Sequence, residues 1–460
     1  MFQLDLGGTS RYCDGIGRRS FLKLGVAGMA TIGLPGLLRA RADSEKAVGV
    51  RKNTSVILIW LDGGPSHMDL YDLKPEAPAE YRGIWKPIHT RVSGFDISEL
   101  FPKQAQVTDK FSIVRSLHHD NGDHFSGAHM MLTSKYMNVS GAKTDGQFPG
   151  IGAIASRELG SRQHGVPPYV AIPSAASIGL APGYFAGNLL GVQYNPFNTG
   201  GGLTAPNFSV QNLNLAQGLS MARLEDRRSL VQHFDQARQA LDKLPEVQAM
   251  DRFSQEAFEF VSSPRTREAF NIHKEDPRLR DQYGFSDWGQ SVLLARRLVE
   301  AGSTFVTVHM GGWDHHWDLK KGMENYLPQV DAAVATLFRD LDDRGLLSST
   351  LVVLCGEFSR TPRMNNGGNG GAPMSMGTPG RDHWGNAMFC LLGGGGVRGG
   401  QIVGSTDAHG ERPNTRPLKP TNIHATIYKV LGLDPHLQIF DHAGRPISVL
   451  DDPTPIAELV

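Results

Sequence analysis

The chain has 460 residues, with 46 basic and 46 acidic side chains and a formal net charge of zero at pH 7. That balance leaves no global field to recruit nucleic acid or an anionic bilayer, so the expected partner is a small or locally recognised ligand. Three cysteines in the whole chain point to free thiols rather than a disulfide scaffold, whereas 17 histidines are an unusual count whose clustering points to chemistry.

The N-terminus reads as a twin-arginine signal. Arg18-Arg19-Ser20-Phe21-Leu22-Lys23 precedes a mildly apolar stretch from Leu24 to Leu38 and then Arg39-Ala40-Arg41-Ala42. These are a paired-arginine region, a Gly- and Ala-rich apolar region and a small-x-small cleavage site. The apolar run falls short of the roughly 20 residues that span a bilayer, so removal after Ala42 is expected, leaving no stable membrane span. The expectation is therefore a signal peptide over 1–42, passage through the twin-arginine translocase to the periplasm, and one large domain over 43–460. Cys355 and Cys390 remain after processing, both in apolar runs that suit buried free thiols.

The domain opens with Ser55-Val56-Ile57-Leu58-Ile59-Trp60, a continuous apolar run ending in Gly and Pro, which predicts a central strand covered on both faces. Similar runs recur at Phe111 to Arg115, Tyr169 to Ile172, Thr304 to His309, Thr350 to Leu354 and Ala387 to Leu392. Helical periodicity separates several of them, most clearly Asp287 to Ala301 and Met323 to Arg344. Alternation of this kind predicts βαβ units and an α/β fold with a mostly parallel central sheet and helices on both faces. The Gly-, Asn- and Pro-rich segment from Ala181 to Phe208 reads as a surface excursion or lid, or else as an ordered loop. Residues near 219–272 are charged and helical in pattern and predict an inserted helical subdomain.

Four polar constellations fall where these strands end, and ligands bind at the C-terminal edge of open parallel sheets. The first is Asp62-Gly63-Gly64-Pro65-Ser66-His67-Met68-Asp69, with acids, a hydroxyl and an imidazole on one tight turn. The second, His118-His119-Asp120-Asn121-Gly122-Asp123-His124 continuing to Ser126 and His129, packs four imidazoles and two carboxylates into twelve residues. Clustered imidazoles repel when charged and need partners when buried, so ligation explains them better than packing. The third is His309-Met310-Gly311-Gly312-Trp313-Asp314-His315-His316, whose oxygen and nitrogen donors suit zinc or manganese. The fourth runs from Gly356-Glu357-Phe358-Ser359-Arg360 to Arg381-Asp382-His383-Trp384, pairing a strand-end carboxylate with an arginine and a later Asp-His pair.

The order of Asp314-His315, a helix, the strand Ser349 to Val353 and the acid Glu357 resembles the C-terminal half of alkaline phosphatase and sulfatase superfamily enzymes. More closely, Gly63-Gly64-Pro65-Ser66-His67-x-Asp69, Gly312-Trp313-Asp314-x-His316, Glu357-Phe358-Ser359-Arg360-Thr361-Pro362 and Arg381-Asp382-His383-Trp384 resemble an exported bacterial family. That family is the domain of unknown function numbered fifteen hundred and one. The resemblance covers nearly the whole mature chain and implies an alkaline phosphatase-like fold. It also implies a divalent metal, zinc first with manganese or calcium as alternatives, held by Asp314, His315 or His316, Glu357 and His383 and completed by Asp62 or Asp69. Arg360 would clamp the anion's equatorial oxygens. His124 falls where sulfatases carry the cysteine that becomes formylglycine, and no Cys-x-Pro-x-Arg motif is present. His124, as nucleophile or base, and the hydroxyls of Ser66 and Ser126 are the candidates for that role. Gly356-Glu357-Phe358 replaces the superfamily's Ser-Asp-His, so one metal-ligating imidazole of a two-zinc site is missing.

The expected activity is metal-dependent hydrolysis of phosphate or sulfate esters, on a small anionic ester or a sulfated or phosphorylated polymer. A non-catalytic exported binding or scaffold protein is the alternative, and a phosphomutase-like transferase the third.

Overall fold

The computed structural model describes residues 54–137, 148–177, 183–210, 262–365 and 378–460, together with Asp226, Glu259 and Phe260. The expected signal over 1–42 lies outside the described residues, as does most of the helical insertion expected near 219–272. Of the latter, the helix Pro264–Phe270 and the turn Ile272–Lys274 are described.

In chain order the elements that build the core begin with β1 (Ser55–Asp62), β2 (Phe111–Leu117), α1 (His124–Thr133), α2 (Ile151–Leu159), β3 (Tyr169–Ile172) and β4 (Phe197–Asn198). They continue with α3 (Asp287–Ala301), β5 (Phe305–Gly311), α4 (Leu319–Asp343), β6 (Thr350–Cys355), the short pair β7 (Ser359–Arg360) and β8 (His383–Trp384), then β9 (Met388–Gly394), β10 (Ile402–Val403) and α5 (Pro420–Leu431). One eight-stranded sheet has the order β10-β2-β9-β6-β1-β5-β3-β4. β1 lies between β5 and β6 and is parallel to both, and β3 and β4 continue in the same direction.

β9 departs from the expected parallel pattern, running antiparallel to both β6 and β2. A parallel return needs a crossover, usually a helix. The described residues between β6 and β9 instead form the β7–β8 pair, and the chain comes back in the opposite sense.

All eight residues of β1 are buried, because both faces of the strand are covered. Ile57, Ile59 and Leu61 enter a core shared with α3 and α4, while Val56, Leu58 and Trp60 enter a second core shared with α1, α2 and α5. Each such aliphatic side chain contributes about 1.5–3 kcal/mol by leaving water. α3 starts where Ser286 accepts from the Gly289 N–H and ends at Gly302, whose φ of 121° suits glycine. α4 begins four residues before the expected Met323 and carries Pro328 within it.

The described part of the glycine-rich segment, 183–208, contains three short 3-10 turns and the edge strand β4. Tyr184 and Phe185 are buried, and Phe185 meets Trp60 edge-on with ring centroids 6.1 Å apart.

The three central strands end level with one another. Asp62 pairs with Gly311, and Trp60 with both His309 and Cys355, so their following loops leave from the same edge. Gly356 allows this closeness: a Cβ there would lie 2.4 Å from Pro65 Cδ and 2.6 Å from the Leu61 carbonyl. Gly356→Ala should therefore lower unfolding free energy by about 1–3 kcal/mol through overpacking. The readout is a lower denaturant midpoint at unchanged slope; an unmoved midpoint would contradict the close approach.

Candidate metal centre

The loop after β5 turns at Gly312, where φ is 100°, and presents Asp314 at the sheet edge. Three imidazoles face its carboxylate, one from the same loop and two from distant parts of the sequence. His124 Nε2 lies 3.3 Å from Oδ2, while His316 Nε2 and His383 Nε2 lie 3.0 and 3.3 Å from Oδ1. One ligand atom each from His124, Asp314 and His383 fall within 4.8 Å of one another.

Each ring is held by its other nitrogen. His124 Nδ1 donates to Glu357 Oε1 at 2.7 Å, His316 Nδ1 to Asp382 Oδ1 at 2.7 Å, and His383 Nδ1 to the Gly122 carbonyl at 2.9 Å. Acceptors on all three Nδ1 atoms fix the tautomer and turn three Nε2 atoms inward. His316 Nε2 and His383 Nε2 are themselves 3.0 Å apart. Two lone pairs so close require a proton or a cation between them.

Local sequence explains how the rings arrive. Asp123 caps α1 by accepting from the N–H groups of Phe125 and Ser126, which places His124 on the first turn. The β7–β8 register sets His383 opposite Arg360. Glu357, fully buried two residues past β6, accepts from the Gly63 N–H with Oε1 at 2.9 Å and Oε2 at 3.1 Å.

Burial by itself lowers the pKa of His124, but hydrogen bonds to Asp314 and Glu357 outweigh it and raise the ring to about 9. Asp314 is affected by burial in the opposite sense, yet the three imidazoles and Arg360 hold it far below the ordinary carboxylate range. His316 is raised chiefly by Asp314, whereas burial lowers His383. Burial raises Glu357, against the pull of His124. Negative charge thus converges here on rings whose free nitrogens are good ligands.

The structure distributes the sequence candidates unevenly. Asp314, His316, His383 and His124 meet, with Glu357 one bond behind His124. His315 turns away: its Nδ1 lies 3.2 Å from the Trp313 carbonyl, and its Nε2 occupies the space a side chain at Gly322 would need. Ser66 donates to Asp69 at 2.5 Å, and Asp69 accepts from Arg381 Nε at 2.9 Å, all three residues fully buried. Those two are therefore committed to an internal ion pair and do not reach the centre. Asp62 accepts from Ser177 Oγ at 2.9 Å and lies 3.1 Å from His309 Nε2, in a second acid–imidazole pair.

Arg360 was expected to grip a ligand, but it is fully buried. It donates to the Gly63, Gly64 and Arg381 carbonyls and to Asp314, 2.5 Å away. It fixes Asp314 and has little left for a ligand. Asp382, Gly122 and His309 stand in the polar motifs, but no role was expected of them individually. Asp382 adjoins His383 in sequence, but only the fold reveals that it faces His316.

The pairing of His124 with its carboxylates is at full strength below the ring's ordinary value of 6.5 and is lost as pH rises through about 9. Metal-free protein followed by NMR of the imidazole protons should show His124 titrating near 9. In Asp314→Asn it should fall back toward the ordinary value. A wild-type His124 already titrating near 6.5 would contradict this arrangement.

Among solved structures the chain is similar to a protein in the alkaline phosphatase superfamily from Vibrio parahaemolyticus, at 10% identity and TM-score 0.40, covering 84% of this chain and 68% of that one. It is also similar to a sulfatase from Pseudoalteromonas sp., at 14% identity and TM-score 0.37 over 86% and 70% of the two chains. A mutant of TAB5 alkaline phosphatase with magnesium bound is similar at 13% identity and TM-score 0.39, over 84% and 100%. No curated protein matches the chain. A family model described as a protein of unknown function (DUF1501) matches residues 53–460, and the chain belongs to that family.

Proposed function

We propose that the protein is an exported metal-dependent hydrolase of phosphate or sulfate esters. One divalent ion would be held by His124, His316 and His383 through Nε2 and by Asp314 through its carboxylate. The observation that carries this reading is the orientation of the three rings, each with Nδ1 tied outward and Nε2 directed at one carboxylate. Three nitrogens and an oxygen suit zinc, with manganese next, and calcium's preference for oxygen makes it the weakest match. The residues present therefore fit a divalent ion. When bound, such an ion supplies a Lewis acid for the ester oxygens and a means of activating water.

The chain's own groups do the rest. Glu357 and Asp382 keep their imidazoles in the ligating tautomer, and Arg360 holds Asp314 in register while offsetting its charge. Asp314 is about 40% exposed, so the centre opens to solvent on one side, where an anionic ester would approach.

A non-catalytic exported binding protein is the second reading, favoured by Phe358. Its ring packs 4.9 Å from His124 and 4.5 Å from His383, where the superfamily resemblance expects another ligating imidazole.

Elemental analysis of protein purified from its native compartment should find about one divalent ion per chain. Asp314→Ala should cut occupancy to below about one tenth, because ligand loss acts on metal binding more than on folding. Turnover of chromogenic phosphate or sulfate esters, abolished by chelator and by Asp314→Ala, supports the hydrolase. Full metal content with no turnover across both ester types favours the binding protein, and full metal content in Asp314→Ala rules out the centre.

Export by the twin-arginine route is part of the same proposal, supported by Arg18-Arg19 ahead of a mild apolar stretch. Among the described residues no helix is long and apolar enough to cross a membrane. Replacing Arg18 and Arg19 with lysine should leave unprocessed precursor in the cytoplasm, visible by fractionation and mass. A processed periplasmic product from that variant would exclude the route.

A further inference from the structure

One buried imidazole next to the centre contributes no atom to it. His119 is 4% exposed. Its Nε2 donates to the Glu357 main-chain carbonyl at 2.7 Å, its Nδ1 accepts from the Asn121 N–H at 3.1 Å, and its own N–H donates to the Gly385 carbonyl at 2.9 Å. A carbonyl only accepts and an amide N–H only donates, so the ring is neutral with its proton on Nε2. Burial lowers its pKa to about 4, which preserves that state at neutral pH.

These bonds join three segments that each orient a ring of the centre. Glu357 is the acceptor for His124. The stretch from Asn121 to His124 contains both His124 and the Gly122 carbonyl that accepts from His383. Gly385 follows His383 by two residues. The junction is tight: a Cβ at Gly385 would lie 2.5 Å from the Asn121 carbonyl and 2.7 Å from His119 Nδ1. At Gly127, on the second turn of α1, a Cβ would come within 3.0 Å of the Glu357 carbonyl.

We propose that His119 is a positioning residue that sets the acceptors of His124 and His383 relative to each other and so preorganises the metal ligands. This rests on the metal-centre reading given above. A ring that merely filled space would be replaceable by any side chain of its volume. Here two opposite hydrogen-bonding roles on one rigid ring determine where Glu357 and Gly122 sit.

The two roles can be separated in the full mature chain. His119→Gln retains a donor for the Glu357 carbonyl, His119→Asn retains an acceptor for the Asn121 N–H, and His119→Leu removes both. Zinc affinity, measured by competition with a chromophoric chelator well below each protein's melting temperature, should fall roughly 10–100-fold in the leucine variant and less in the other two. In the metal-free proteins, imidazole ¹⁵N shifts of His124 and His383 should lose their hydrogen-bonded Nδ1 signature in the leucine variant. A lower melting temperature with wild-type zinc affinity, or unchanged His124 and His383 shifts, would overturn the proposal. If the leucine variant does not fold, the glutamine and asparagine variants decide by the same two readouts. Wild-type protein that takes up no zinc would sink the metal-centre reading, while the shifts would still decide the role of His119.

Discussion

The attraction between one carboxylate, Asp314, and the rings of His124, His316 and His383 is what the surrounding structure is arranged around. Only partly exposed to water, that carboxylate needs positive charge, which Arg360 and the imidazoles raised by it, His124 and His316, supply. Such an array is stable only while its rings are protonated or share a cation. The close approach of the His316 and His383 Nε2 atoms makes the point locally: with both Nδ1 protons committed outward, something positive must separate the two inner nitrogens. A divalent ion would replace several separately held protons with one charge, and its uptake would release them.

Holding four such groups together takes main chain as much as side chain. Arg360 and Arg381 are both fully buried, and most of their N–H groups donate to backbone carbonyls. Buried guanidinium groups are costly unless every donor is satisfied, and a loop carbonyl turned inward is costly unless it finds a donor. Each need meets the other here. Arg360 ties the turn after β1 to Asp314, and Arg381 ties the His383 strand to Asp69 and to the carbonyls of Thr361 and Arg82. Irregular loops are thereby tied to one another by hydrogen bonds that the strands do not provide.

The sheet determines how far each loop must reach. Because β1 is parallel and level with β5 and β6, Gly63 comes within hydrogen-bonding distance of Glu357, and the turn after Asp62 sits beside the one that carries Asp314. α1 enters from another part of the sheet, and its Asp123 cap is occupied with its own helix N-terminus. The ring one residue later is left to face the carboxylates.

Much of this was legible in one dimension. Continuous apolar runs identified the central strands because a strand covered on both faces buries every residue, and the polar motifs at their ends marked the sheet edge where the candidate centre lies. The sequence also singled out Asp314 and His383, and it placed His124 among the reactive groups. It could not choose between His315 and His316, since neighbouring residues of a loop point in different directions and only packing against Gly322 turned one away. Nor could it tell that Asp69 and Arg360 are used up internally, because their partners lie far off in sequence: Arg381 for Asp69, which in turn holds the neighbouring Ser66 hydroxyl, and the Gly63 and Gly64 carbonyls for Arg360. Composition and periodicity report which groups will be buried or near an edge. Which nitrogen of a ring faces inward depends on an acceptor tens to hundreds of residues away, and only the folded chain brings that acceptor into contact.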